Sequence, residues 1–511
     1  MSGVAEEARA SGQDARSSFA RRVSSGLVWN QLSRIIEIAA AYVASVLIAR
    51  GLGPVEFGTY SVALSMVTFT YFATSLGMNE VLNVHVPRLG DAPAQVAFLL
   101  RALLKLRSVI ALGLAVAMFA LAPLLASLYH SPPLGTVLRA AALYVFFYNV
   151  MLLLEYFLVG ALQVPRVARA RIMVQVLNLA AAAAALRWHW HAWPLFLTMA
   201  GSSALGLAWL SWGARAALLG ASERFDLTPL RRFGLTLWVT NFVNFFLGRQ
   251  ADILMIGYFR PNTDQAGCYS VAAMLAMLCA SALLLGTEGV SLAAFSDIDQ
   301  RIGRESVGRL WNLHIKIDLL LSVPLLLLGG LLSGPIISVL YKSGYEHAAP
   351  MLTAYVVVWA ITRALGGGTN MTVLYAMNQP RIPLIIYGCS GAFNLLANLW
   401  LVHRWGALGA ILGTGLAMAG SSVASASLLM RRTGARLPWD LMLKLAVASL
   451  PVVIVVRALR LPPGIGGLMV QAGAGAIAYL AAVRLLKPFN ESDRNLLSRL
   501  NPRVGRLASW L

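Results

Sequence analysis

The sequence predicts an all-α polytopic membrane protein, and three observations carry that prediction. Of 511 residues, 58% are hydrophobic and only 12% charged, with a mean hydropathy of +0.70. A soluble domain carries about 25% charged residues, so ordinary globular classes are excluded. The apolar excess runs from residue 25 to residue 486 and leaves no stretch for a soluble domain. It is also divided into pieces of the length a helix needs to cross a bilayer, about 20 mainly apolar residues. Fourteen crossings are expected, over 25–49, 58–86, 98–128, 136–160, 168–186, 193–217, 233–257, 267–295, 308–341, 348–378, 382–402, 406–430, 440–458 and 464–484.

Lys and Arg outnumber Asp and Glu by 41 to 21, a net charge of +20. In a soluble chain that excess points to nucleic acid; here the basic residues sit in short connections between apolar spans, so the charge reads as topology and no nucleic-acid partner is expected. With the N-terminus in the cytoplasm, 30 of the 41 basic residues fall inside, among them the groups Arg88 to Arg107, Arg166 to Arg171 and Arg301 to Lys316. Eight fall outside: Arg50, Arg139, Arg187, Arg260, Lys342, Arg404, Arg457 and Arg460. That asymmetry obeys the positive-inside rule. Residues 1–24 mix Ala, Ser and Arg with acids and read as a disordered cytoplasmic tail, with no cleavable signal. An even number of crossings returns 487–511 to the cytoplasm, where Leu496, Leu497, Leu500 and Leu507 with Arg499, Arg503 and Arg506 suit an interfacial helix or a plain solvated tail. Cys268, Cys279 and Cys389 lie in apolar segments and form neither a disulfide framework nor a metal spacing, so no cofactor or metal is expected.

Sliding the chain on itself by 209 residues aligns Arg22 with Arg231, Trp29 with Trp238, Gly58 with Gly267, Tyr60 to Ala63 with Tyr269 to Ala272, Leu76 and Gly77 with Leu285 and Gly286, and Val81 with Val290. Six crossings separate the copies, so both enter the membrane in the same direction, as parallel repeats do. The architecture expected is two pseudo-symmetric six-helix lobes, 25–218 and 233–432, joined by a cytoplasmic linker at 219–232 and facing a central cavity, with two extra helices in 433–486.

Four segments then resemble a known family: ARGLGPVEFGTYSVA (Ala49 to Ala63), ADILMIGYF with AGCYSVA (Ala251 to Ala272), SGYEHAAPML (Ser343 to Leu352) and NLLANLWLVHRWGALGAILGTGLA (Asn394 to Ala417). Together they look like the polysaccharide-transport branch of the multidrug/oligosaccharidyl-lipid/polysaccharide exporter superfamily, over nearly the whole chain. One departure is His403, Arg404 and Trp405, where the family often carries a proline before its Gly-Ala-x-Gly-Ala turn. The resemblance implies a flippase of O-antigen or exopolysaccharide repeat units on polyprenyl pyrophosphate, working by alternating access in a bacterial inner membrane. It implies membrane lipids as surroundings, and a polysaccharide polymerase and glycosyltransferases as companions.

Ionisable side chains at bilayer depth are costly and normally face a partner or a wet cavity. Arg34 with Glu37 in the first span, and Arg249 with Asp252 in the seventh, are spaced i, i+3 and so share a helical face. Two readings stay open for each pair: a cationic cavity contact for a pyrophosphate, or a structural ion pair. Arg363 falls midway along the tenth span before Gly366, Gly367 and Gly368, which weaken the helix by about 1 kcal/mol each relative to alanine; it is either a head-group contact beside an unwound turn or part of a close helix packing. Asn241 and Asn244 share the seventh span with Arg249 and suit sugar hydroxyls, or equally interhelical bonds. Substrate contacts are therefore expected at Arg34, Arg249, Arg363, Asn241 and Asn244, and a coupling ion at Asp252, Glu37 or Asp318, in that order. Glu80, Glu155 and Glu288 are the remaining acids at membrane depth.

Two rivals share some of these features. A multidrug exporter of the same superfamily takes cationic drugs and wants an acidic cavity, against which the three membrane-depth arginines argue. A membrane glycosyltransferase or polymerase would find a D-x-D motif in Asp297 and Asp299. That motif works within an α/β nucleotide-binding domain, for which the short connection after the eighth span has no room, so no enzyme activity is expected.

Overall fold

The computed structural model describes the backbone of residues 2–89, 92–260, 263–281, 287–341, 343–379, 381–459, 461–462, 464–491, 493–494 and 498, and the side chains among these from residue 35 onward, except at 240, 244, 281–290 and 293. Among the described residues there are seventeen helices and no strand. Helices satisfy every backbone hydrogen bond within one segment, which a hydrocarbon surrounding demands. The chain is a multi-pass membrane protein. Among the described residues, ten helical segments, 348–376 counted as one, are long and apolar enough to cross.

The N-terminal unit holds residues up to Leu52 and Thr59–Phe245. Its helices are α1 (Ser2–Ser75), α2 (Met78–Arg88), α3 (Pro93–Leu128), α4 (Pro132–Gly160), α5 (Val164–Trp188), α6 (Ala192–Leu219) and α7 (Thr228–Leu247). Proline opens α3, α4 and α5 in the first turn, where its missing N–H costs nothing. The most buried helix is α4, whose Leu138, Val145, Leu153 and Leu158 are fully enclosed. Small residues let its neighbours close in: a Cβ on Gly160 would come within 2.8 Å of the Leu82 carbonyl oxygen, and one on Gly206 within 2.6 Å of Met151 Sδ.

The C-terminal unit holds Gly53–Gly58 and Phe246–Leu511. It contains α8 (Arg249–Phe259), α9 (Asp264–Ser281), α10 (Thr287–Arg301), α11 (Arg304–Leu331), α12 (Ser333–Tyr341), α13 (Ala348–Ala364), α14 (Thr369–Ala376), α15 (Arg381–Thr433), α16 (Trp439–Ala458) and α17 (Ile465–Leu486). Trp311, Ile315 and Leu319 of α11 anchor a core completed by Val452 and Val456 of α16 and Tyr479 and Val483 of α17. The two extra helices are thus docked on this unit, and Tyr479 fastens them further by donating to the Leu320 carbonyl (3.2 Å). The chain after α17 returns to α11, where Phe489 packs on Leu313 and Lys316 pairs with Asp493 at 2.7 Å.

The fourteen expected crossings emerge once breaks are recognised. α1 and α15 each run through a mid-helix kink, at Gly53 (φ 74°) and Gly406 (φ 59°), and supply two crossings each. Single crossings are made by α7 with α8, α9 with α10, α11 with α12 and α13 with α14. Two details differ from expectation. Residues 2–24, expected as a disordered tail, carry helix continuous with the first crossing, as their Ala, Arg and Glu content favours. The division between units falls at Phe245, inside the seventh crossing rather than in the linker at 219–232: Gly248 breaks that crossing, and α7 stays with the N-terminal unit because Trp238 Nε1 donates to the Phe72 carbonyl at 2.8 Å. The outer turn at His403 to Trp405 is pinned by Arg260, whose Nη2 donates to the His403 carbonyl (3.0 Å), and by Gln265, whose Oε1 accepts the Ala407 N–H (3.2 Å).

Two glycines that the 209-residue offset aligns make a close mutual contact. A Cβ on Gly58 would lie 1.8 Å from the Thr263 carbonyl oxygen, and a Cβ on Gly267 would lie 2.2 Å from that of Pro54. Positions 54 and 263, like 58 and 267, are 209 residues apart, so the two glycines of the sequence repeat each meet a backbone carbonyl of the other copy's segment within the C-terminal unit.

Candidate substrate and ion sites

In the N-terminal unit the polar core centres on Arg107. The sequence counted this residue among the inner-side charges at the start of the 98–128 crossing; α3 starts at Pro93 and carries it about 20 Å along the helix at about 1.5 Å per residue. It is 0% exposed. Its Nε donates to the Asn149 carbonyl (3.3 Å), its Nη2 to Asn149 Oδ1 (3.0 Å), and the guanidinium stands 5.7 Å over the Tyr71 ring. Thr74 also donates to Asn149 Oδ1 at 2.6 Å. On α2, Asn79 Nδ2 donates to the Tyr71 hydroxyl (3.3 Å), and Glu80 Oε1 accepts from Asn241 Nδ2 (2.8 Å). Arg171, likewise counted among the inner-side charges, is drawn into an ion pair with Glu155 of α4.

The C-terminal unit holds two separate charged groups. Asp252, in the first turn of α8, is 0% exposed. The i, i+3 pair with Arg249 does not form. Asp252 instead accepts hydrogen bonds from Thr414 Oγ1 (2.7 Å), Asn398 Nδ2 (2.8 Å) and the Tyr269 hydroxyl, which also bonds Tyr355 (2.6 Å). Asn394 joins the cage by accepting from Asn398 (3.1 Å) and Thr414 (3.2 Å). Arg249 opens α8, half-buried, and no described residue pairs with it. The second group is Arg363 of α13, whose Nη1 donates to both oxygens of Asp318 (3.2 and 3.1 Å) while its guanidinium lies 5.5 Å over Trp359. The glycines after it do break the helix: Gly366 and Gly368 have φ of 73° and 80°, and α14 begins only at Thr369. Asn370 fills the break, donating to the Leu365 carbonyl (2.9 Å) and Ser425 Oγ (3.0 Å) and accepting from Trp311 Nε1 (2.9 Å).

Of the expected contacts, the structure joins Arg363 to Asp318 and Asn241 to Glu80, and leaves Arg249 unpaired. Glu37 is half-buried. The side chains of Arg34, Asn244 and Glu288 lie outside the described residues, as does the tail from Leu496 to Arg506 apart from position 498. Asp297 bonds Arg301 one turn on along exposed α10 (2.6 Å), as an ordinary helical pair. Sequence reasoning missed Arg107, Tyr269, Asn398 and Thr414. Asn394 and Asn398, polar at i and i+4 within an apolar helix, were the signal that marked the Asp252 cage.

The fold and these groups define a multi-pass, all-helical membrane protein of two compact units, each with charged groups in its interior. The structure resembles a lipid II flippase, MurJ, in an inward closed conformation, with a TM-score of 0.67 at 15% identity over 90% of this chain and 97% of that one. It also resembles multidrug MATE transporters of the MOP superfamily, inward-facing (TM-score 0.61, 13% identity, 78% and 94% covered) and outward-facing (0.52, 14%, 80% and 95%). A search of curated protein sequences finds no match. A family model described as polysaccharide biosynthesis protein matches residues 47–350, and the chain belongs to that family.

Proposed function

We propose that this protein flips polyprenyl-pyrophosphate-linked oligosaccharide repeat units across a bacterial inner membrane by alternating access, for surface polysaccharide assembly. The observation that carries this reading is Arg249: a half-buried cation at membrane depth with no acid partner among the described residues attracts a diphosphate and repels the cationic cargo of a drug exporter. Membership in a polysaccharide biosynthesis family and a fold shared with a lipid II flippase support it. The distribution of basic residues supports cytoplasmic termini. The polyprenyl tail stays in lipid, because each CH₂ moved into water costs about 0.8 kcal/mol.

Cells lacking the protein are expected to accumulate lipid-linked oligosaccharide on the cytoplasmic leaflet and to lose the surface polymer. Persistence of the polymer together with new sensitivity to cationic drugs would replace this reading with the drug exporter.

Coupling to an ion gradient centres on Asp252, the only one of the three expected acids enclosed by neutral donors; Asp318 is committed to Arg363. Transport into vesicles is expected to slow when the proton or sodium gradient is collapsed, and Asp252→Asn to lose that dependence. Wild-type transport indifferent to both gradients excludes coupling.

A further inference from the structure

The polar core around Arg107 has unused hydrogen-bonding capacity. Arg107 Nη1, Asn79 Oδ1 and Glu80 Oε2 are buried and have no partner among the described residues. A core that only ties helices together satisfies its buried polar atoms, since each unmet one costs about 1–3 kcal/mol. Here one donor and two acceptors are left open around a single tyrosine, Tyr71, which Arg107 stands over and Asn79 bonds. The Tyr156 hydroxyl lies beside that of Tyr71, and the Tyr148 ring stands 6.4 Å away, centroid to centroid. All three tyrosines are half-buried, as are Glu80 and Asn241.

The cations of this cluster are already met by acids. Arg107 has Glu80 within electrostatic reach, and Arg171 is paired with Glu155 and has Glu37 in reach. An anion therefore gains little there, in contrast to Arg249. A pyranose offers what the cluster lacks: hydroxyls that donate and accept, on a ring whose C–H face packs on an aromatic side chain. Aromatic walls with a few fixed polar groups are the usual composition of a small-molecule site, and tyrosine supplies both ring and hydroxyl.

We propose that Tyr71, Tyr148, Tyr156, Glu80 and Asn241 form a binding site for a neutral sugar of the cargo, with Arg107 as a positioning residue that fixes Tyr71 and Asn149 from behind. The proposal rests on the flippase reading and adds to it a glycan-recognition site in the N-terminal unit, separate from the diphosphate contact assigned to Arg249.

The test uses the full chain in detergent with two kinds of probe: farnesyl pyrophosphate alone, and farnesyl pyrophosphate bearing one glucose, galactose or N-acetylglucosamine. At least one sugar-bearing probe is expected to bind wild type about tenfold more tightly than the bare one, a difference of the size one or two good hydrogen bonds supply. Glu80→Gln and Tyr71→Phe are expected to erase most of that advantage while leaving the affinity for the bare probe unchanged. Tyr71→Phe keeps the ring and its stacking, so a loss there reports the hydroxyl and not the fold; elution as a single species checks both variants. Variants that weaken both probes alike, or that keep the sugar advantage, overturn the proposal. If wild type binds the bare probe but no sugar-bearing one more tightly, the glycan site is wrong and the diphosphate contact survives. If it binds neither, the flippase reading falls first.

Discussion

Arg249→Ala is expected to lower transport of the lipid-linked oligosaccharide at least tenfold while leaving the amount of folded protein close to wild type. The two effects separate because Arg249 is half-buried and pairs with no acid among the described residues, so its removal strands none of their carboxylates. Losing one charge-assisted contact to a phosphate costs about 1.5–3 kcal/mol, and about 1.4 kcal/mol is already a factor of ten. Arg249→Lys keeps a point charge and loses the bidentate fork, so partial transport is expected. Arg363→Ala provides the contrast. It leaves Asp318, 2% exposed, as a buried charge without its partner, and breaking such a pair costs about 3–5 kcal/mol. Its transport should fall together with its protein level. Quantitative immunoblotting beside vesicle transport distinguishes the two patterns, and normal transport by Arg249→Ala would remove the observation on which the flippase reading stands.

Gly58→Ala and Gly267→Ala are each expected to lower the melting temperature and the amount of folded protein markedly. The added methyl would sit 1.8 Å from the Thr263 carbonyl oxygen in one case and 2.2 Å from that of Pro54 in the other. Both obstacles are backbone, so neither can be relieved by a rotamer change. Overpacking typically costs 1–3 kcal/mol, about that much even where side chains can yield, against a total stability of about 5–15 kcal/mol. Gly113→Ala is the control: it lies inside α3 with open space where the methyl would go, and alanine favours the helix there by about 1 kcal/mol. Thermal unfolding of the purified variants in detergent gives the ranking. Near-native melting of Gly58→Ala would mean that the reciprocal contact of the repeat is looser than the structure shows.

The sequence by itself determined the fold class and the fourteen crossings. Each depends on a local quantity: hydropathy over about 20 residues decides whether a helix spans, and glycine at 53, 366 and 368 marks where one bends, because the positive φ at these positions suits no other residue as well. Which side chains meet was decided only by the tertiary structure. The i, i+3 spacing correctly put Arg249 and Asp252 on one face of a helix, but it carried no information on what that face meets. Tyr269, Asn398 and Thr414 come from two other helices and claim the carboxylate, leaving the arginine free. Arg363 and Asp318, 45 residues apart on α13 and α11, were each singled out and not joined. Arg107 was counted as a topological charge because it follows Lys105 in a basic stretch. It became the centre of a polar core because Asn149 of α4 and Tyr71 of α1 meet its face of α3, which its spacing in the sequence does not encode.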